Sequence, residues 1–187
     1  THNISCEVSP HHLLLDIGTY ATWGAMAKCN PPLKSQENCQ QLWAGLRQVD
    51  MIATDHAPHT RDEKDREIMS AAPGFAGVET MLPLMVNQVN EGKITWQELV
   101  RLTSHGAMEV FGLTEKGEIV AGRDADIVII DNAQTRIVDP ADLHSKCGWS
   151  IYESMELKGV VDKVFKGGEL VVDGDKFYGK KGSGREI

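Results

Sequence analysis

The stretch Val49-Asp50-Met51-Ile52-Ala53-Thr54-Asp55-His56-Ala57-Pro58-His59 decides how the chain is to be read. Its first half is a short apolar run of the kind that forms a buried strand. Pro58 keeps that strand from continuing, so Asp55 is expected where the strand gives out. An Asp and two histidines there place three candidate metal or proton-transfer groups at the mouth of a sheet. In open parallel sheets and (β/α)8 barrels, chemistry is done at the strand ends. The plain alternative is a polar turn, because Asp and Pro are common turn formers.

On the N-terminal side the same pattern recurs. Ile4-Ser5-Cys6-Glu7-Val8 is a strand candidate stopped by Ser9-Pro10, with His11-His12 directly behind. Successive side chains of extended backbone face opposite ways, so only one of these histidines is expected to point into a site. Glu7 reads as a surface or supporting carboxylate rather than a metal ligand. In Ala27-Lys28-Cys29-Asn30-Pro31-Pro32-Leu33, the double proline imposes an extended, donor-poor backbone that would hold the Asn30 amide rigidly. Residues 35–49 are predicted to be helical. Ser35 is the N-cap, and Cys39, Leu42, Trp43, Leu46 and Val49 fall on one face. A helix feeding straight into the 51–53 strand is an αβ unit.

On the C-terminal side, residues 61–70 are charged and read as a solvated loop or helix. Ala71-Ala72-Pro73-Gly74-Phe75-Ala76-Gly77 is a loop of small residues. Gly74 and Gly77 permit close backbone approach, and a loop leading into a helix offers N–H groups to a carboxylate. Thr95 and Glu98 have capping-box spacing, and a later short helix over 106–111 should end at Gly112. Beyond it strands are expected at 118–120, 125–130, 160–165 and 170–172. Hairpin-type turns at Gly122-Arg123-Asp124, Lys166-Gly167-Gly168 and Asp173-Gly174 separate them. The Gly-rich basic tail, 180–185, is expected to be an exposed arm. Two portions follow, 1–112 and 113–187.

Composition narrows the classes. The 187 residues suffice for an ordinary domain but fall short of the roughly 250 of a complete (β/α)8 barrel. With 41% apolar and 25% charged residues the chain is globular. No run approaches the roughly 18 apolar residues of a membrane span, so no membrane is expected. The N-terminus lacks the pattern of a signal peptide and reads as the middle of a longer sequence. A net charge of −8, from 19 basic and 27 acidic residues, disfavours nucleic-acid binding and leaves a small molecule as the expected partner. The four cysteines lack CxxC spacing, so they are expected to be reduced, as in a cytoplasmic protein, with Cys6 and Cys29 as small buried residues.

Taken in order, these pieces resemble the C-terminal half of dihydroorotases of the longer, bacterial-like type, within the amidohydrolase superfamily. The matching motifs are Cys6-Glu7-Val8-Ser9-Pro10-His11-His12-Leu13, Asn30-Pro31-Pro32-Leu33, Ala53-Thr54-Asp55-His56-Ala57-Pro58-His59 with Lys64 behind it, Pro73-Gly74-Phe75-Ala76-Gly77-Val78-Glu79-Thr80, and Gly122-Arg123-Asp124-Ala125-Asp126-Ile127-Val128. The resemblance implies an α/β fold, the C-terminal part of a (β/α)8 barrel with an appended small β-sandwich portion. It implies reversible hydrolysis of the cyclic amide of dihydroorotate to N-carbamoyl-L-aspartate, with two divalent metals, zinc in kind. Asp55 would be the metal ligand and proton shuttle, Asn30 and His59 would hold the substrate, and the backbone of Pro73 and Gly74 would contact its ring. His56 is expected to be structural.

The family's other metal ligands (a His-x-His pair, a bridging carboxylated lysine and two later histidines) lie upstream of Cys6 in relatives and are not in this sequence. His2 lacks the context to replace one. A catalytic zinc usually takes three protein ligands, so Asp55 alone cannot hold two metals, and the isolated chain is expected to be inactive. An open half-barrel also leaves sheet edges uncovered, so homo-oligomers or pairing with the N-terminal half of the same enzyme are expected. Two alternatives stand beside this reading: a non-catalytic dihydroorotase-like subunit that scaffolds aspartate transcarbamoylase, and a hydantoinase-like cyclic amidase.

Overall fold

A computed structural model of the chain describes residues 4–184; His2 and the end of the basic tail lie outside them. Two short strands, β1 (Glu7–Val8) and β2 (Met51–Ile52), lie side by side and parallel, with Glu7 opposite Met51 and Val8 opposite Ile52. The two sequence stretches that end in proline and histidine are therefore neighbours, and both run out at the same edge. Parallel neighbours need a long crossover. Here it consists of α1 (Pro10–Leu14), α2 (Thr19–Trp23) and α3 (Gln36–Gly45).

Local signals explain most boundaries. Ser35 caps α3 by accepting from the Asn38 N–H at 3.3 Å. The helix is shorter than predicted, because after Gly45 the chain tightens into a 3-10 turn, Leu46–Gln48, before β2. A four-residue helix, α4 (Arg61–Lys64), starts at a Thr60/Glu63 capping box. Met81–Asn90 forms α5, with Pro83 inside the first turn, where its missing N–H costs no helical bond. Thr95 and Glu98 form the expected capping box of α6 (Trp96–Val100). A π-helical stretch, Arg101–His105, joins α6 to α7 (Gly106–Phe111), which ends at Gly112 in the left-handed conformation, φ 67°.

The C-terminal portion is an antiparallel sheet in the order β3 (Ile127–Ile137), β4 (Glu156–Lys166), β5 (Glu169–Asp173), β6 (Lys176–Phe177). Its hairpins turn at Gly167-Gly168 and at Gly174, all with positive φ, as the sequence indicated. The strand expected at 118–120 does not form. That segment is instead an irregular loop held by charge: Lys116 Nζ reaches Asp124 at 2.9 Å and Asp126 at 2.5 Å, and Arg123 pairs with Glu118 at 3.1 Å. Three residues, only two of them apolar, cannot make a strand without a partner to bond to, and none of the described strands pairs with them.

Two apolar clusters hold these parts together. Val8, Leu13, Leu46, Val49, Ile52, Met85, Val86, Leu99 and Leu102 are among the residues that pack around the parallel pair. The second cluster gathers Met26, Ala27, Cys29, Leu33, Phe75 and Leu84 with Trp149, Ile151, Tyr152 and Leu157. The link between β3 and β4 thus returns to pack against the loops that follow β1 and β2. β4 itself docks on α5 through paired amides. Asn87 Oδ1 accepts from the Lys158 N–H at 3.0 Å, and Asn90 Nδ2 donates to the Lys158 carbonyl at 2.9 Å. Gly159, φ 103°, lies so close to Val86 that a Cβ there would overlap its side chain.

Gly159→Ala should therefore destabilise the fold by about 1–3 kcal/mol, the usual cost of overpacking. Gly45, at the end of α3 with open space around it, should tolerate alanine with little change or a gain of about 0.5–1 kcal/mol. Urea midpoints of the two variants check this, and equal shifts would contradict it.

Candidate functional site

Asp55 stands just beyond β2 with φ 47°, one of two non-glycine residues in the left-handed region among those described. Asp tolerates this conformation better than most residues. The backbone turns sharply there, at the strand end rather than along it. The carboxylate is exposed, and it accepts no hydrogen bond and forms no ion pair among the described residues. It is available to a ligand or a metal ion.

His56 faces the other way. Its Nδ1 accepts from the N–H groups of Gly77 at 3.0 Å and Val78 at 3.2 Å. That fixes it as a structural acceptor, and it uses up the N–H groups the sequence left open for a carboxylate. A Cβ on Gly77 would sit 3.0 Å from the Thr54 carbonyl oxygen, so this loop lies directly on the strand end. His59 is partly exposed. Its ring Nδ1 is 3.8 Å from Glu63 Oε2, and its carbonyl accepts from Trp149 Nε1 at 2.7 Å.

Asn30 is exposed, in a cis peptide with Pro31. Pro73 is half-buried and Gly74 buried. Both backbone groups of Gly74 are engaged within the protein: its N–H donates to the Lys28 carbonyl at 2.9 Å, and its carbonyl accepts from Lys64 Nζ at 3.0 Å. Gly74, φ 126°, approaches Ala57 so closely that a Cβ would lie 2.5 Å from the Ala57 Cβ. The loops carrying Asn30, Asp55 to His59, and Pro73-Gly74 are therefore laced together.

The lace is Lys64. The sequence places it in a solvated charged run, yet its side chain is fully buried. Its ammonium donates to the carbonyls of Lys28 at 2.7 Å and Gly74 at 3.0 Å, and stands 4.9 Å from the Phe75 ring and 5.6 Å from that of Trp149. No carboxylate neutralises it in these contacts. Burial pushes its pKa down from 10.5 to about 8, against a smaller upward pull from Cys29. The sequence signal was present in the spacing of Lys64 from the Asp-His-Ala-Pro-His motif, but nothing in a charged run announces burial.

The two histidines after β1 also depart from expectation. They do not lie on extended backbone. Pro10 occupies the first turn of α1, so His11 and His12 are consecutive helical residues, about 100° apart around the axis. Their rings lie 4.3 Å apart between centroids. One ligand atom from each, together with the Cys29 sulfur, forms a group within 4.8 Å. His11 is 2% exposed, and burial with His12 beside it lowers its pKa to about 3, so the ring stays neutral. Burial raises the Cys29 thiol to about 11. Cys6, expected to be buried, is exposed, and all four cysteines are free. Glu7 is exposed on β1.

A cavity of about 930 Å³ lies elsewhere, between residues 78–83 and the antiparallel sheet. Of the 55–59 segment only His56 lines it. It does not coincide with the strand mouth that carries Asp55.

Residues 26–171 match the amidohydrolase family. The chain is 41% identical to a dihydroorotase of Halobacterium salinarum over 151 residues, covering 80% of this chain and 36% of that protein. It is 36% identical to the multifunctional protein pyr1-3 of Dictyostelium discoideum over 185 residues, 98% of this chain and 8% of that one. Among solved structures, L-hydantoinase from Arthrobacter aurescens superposes with a TM-score of 0.91 at 26% identity, covering 95% of this chain and 41% of that one. The chain thus spans well under half the length of these relatives. Among the described residues no helix is long and apolar enough to cross a membrane.

The Lys64 arrangement has a pH signature. Its folded pKa of about 8 lies below the ordinary 10.5, so the unfolded chain holds the proton more tightly. Between these values stability rises with pH; below about 8 the cost of the buried charge is fully present. Lys64→Met should remove that rise. Urea midpoints of the two proteins, compared from pH 7.5 to 10.5, test it, and parallel curves would contradict the assignment.

Proposed function

This chain belongs to the amidohydrolase family, and on that premise we propose that it carries one part of the catalytic site of a dihydroorotase. The observation that carries the reading is Asp55, an unpartnered carboxylate at the end of a parallel strand, on backbone turned for it. In α/β enzymes of this kind that edge is where substrates bind. On this reading β1 and β2, with their helices, are the last part of a (β/α)8 barrel, 1–112. The 113–187 portion closes the barrel and supplies one face of a small β-sandwich.

Asp55 fits as a ligand to a divalent metal, since its oxygens are exposed and uncommitted. It does not make a binuclear site alone, and further donors must come from outside the described residues. Two zinc-type ions, when bound, would polarise the ring carbonyl and acidify water. Asp55 accepts the proton of the attacking water and delivers it to the ring nitrogen as the amide bond breaks; in ring closure the same carboxylate runs the transfer in reverse. Asn30 and His59 hold and orient the substrate, and the Pro73-Gly74 backbone borders its ring. The substrate is dihydroorotate, a small anion, and no nucleic acid or membrane enters. The setting is cytoplasmic. Similarity to a multifunctional protein fits a chain that works beside other activities, and aspartate transcarbamoylase is the partner this reading proposes.

The isolated 187 residues should not turn over dihydroorotate, whereas the chain joined to a dihydroorotase N-terminal segment should. In that joined enzyme Asp55→Asn should lower kcat by about 10²–10⁴, while Asn30→Ala and His59→Ala chiefly raise KM. Undiminished turnover by the Asp55 variant would sink the assignment. Faster hydrolysis of hydantoin or dihydrouracil, which lack the carboxylate, would point to a cyclic amidase of the hydantoinase type instead.

A further inference from the structure

Three side chains that the proposed reaction does not use converge at the end of β1. His11 and Cys29 are 2% and 1% exposed, and His12 is half-buried beside them. One ligand atom from each lies within 4.8 Å of the other two. His11 Nε2 is buried without a hydrogen-bond partner. A buried polar atom left unpaired costs about 1–3 kcal/mol, which a protein seldom carries without return.

We propose that His11, His12 and Cys29 form a site for a zinc-class divalent cation, and that the bound ion pins the Asn30 loop to α1. It rests on none of the residues assigned to the reaction. Two imidazoles and a thiolate are the borderline-soft set that zinc favours, with a water or a backbone oxygen as the fourth donor. The Pro31 carbonyl oxygen is already at this centre, 2.9 Å from His12 Nε2 and 3.2 Å from Cys29 Sγ. A hydrogen bond from an imidazole to a backbone carbonyl is the contact by which metal-bound histidines fix their orientation.

The geometry needs little change. Bond lengths of about 2.0 Å to nitrogen and 2.3 Å to sulfur put tetrahedral ligand atoms about 3.3–3.6 Å apart. The group must close by roughly 1 Å for an ion to bind. On binding, the thiol proton leaves to solvent and the sulfur turns from the Pro31 carbonyl to the ion. Cys29 directly precedes Asn30, so occupancy would set where the Asn30 amide stands.

Cobalt(II) titrated into the full chain tests this. A thiolate-to-cobalt charge-transfer band should appear, saturate at one equivalent, and be bleached by added zinc. Cys29→Ser should abolish the band and His11→Ala should weaken binding at least tenfold. X-ray absorption of the zinc-loaded wild-type chain, which needs no variant, should give one sulfur and two imidazoles in the shell. Absence of the band, its persistence in the Cys29 variant, or a shell without sulfur would overturn the site.

Discussion

The candidate site depends on a single buried ammonium. Lys64 donates to carbonyls on two separate loops, those of Lys28 and Gly74, and it sits against the rings of Phe75 and Trp149. Removing an ammonium from water costs several kcal/mol even after relaxation. Hydrogen bonds to a charged group return about 1.5–3 kcal/mol each, and a desolvated cation–π contact about 2 kcal/mol. These terms return only part of that cost, which is why burial lowers the Lys64 pKa, so the charged residue adds no net stability. Its contribution is geometric. A carboxylate partner would have ended the network at one salt bridge, whereas two carbonyls let one residue set the spacing of loops 46 positions apart.

Around that tie the loops are assembled by short contacts rather than by long strands. Each strand of the parallel pair has two residues, which is too little pairing to hold a site by itself. What positions Asp55 is the set of contacts next to it. His56 collects two N–H groups, the Ala57 N–H donates to the Phe75 carbonyl at 2.8 Å, and Gly77 presses on Thr54. The left-handed backbone at Asp55 is affordable because the residues on its C-terminal side are fixed independently.

Much of this was legible in the sequence. The apolar run before Asp55 and its stop at Pro58 gave the strand and its end, and Ser35, Thr95 and Gly112 marked helix boundaries through their capping chemistry. The hairpin glycines at 167, 168 and 174 gave the C-terminal turns. The misses share one physical cause, which is that tertiary surroundings override local pattern. The Glu118-Ile119-Val120 segment is strand-like but pairs with none of the described strands, and Lys64 is polar in sequence yet enclosed by the rings of Phe75 and Trp149. His11 and His12 would diverge only if Pro10 ended a strand, whereas proline is equally suited to opening a helix and does so here. Trp149 carried no local signal at all, since its role is set by a contact 90 positions away.

That Trp149 contact ties the two portions of the chain together. Its indole N–H holds the His59 carbonyl at 2.7 Å, and its ring belongs to the cluster shared with Tyr152 and Leu157 at the start of β4. The 55–59 loop and the 138–157 segment are thus joined by a direct contact. If a ligand at the loop and a partner on that segment are coupled through it, each would change the other's affinity by the same factor. The antiparallel sheet is remote from Asp55 in sequence, but this places it within reach as a handle: amide exchange in 138–157 would report occupancy at the strand mouth, and a partner seated there would tune it.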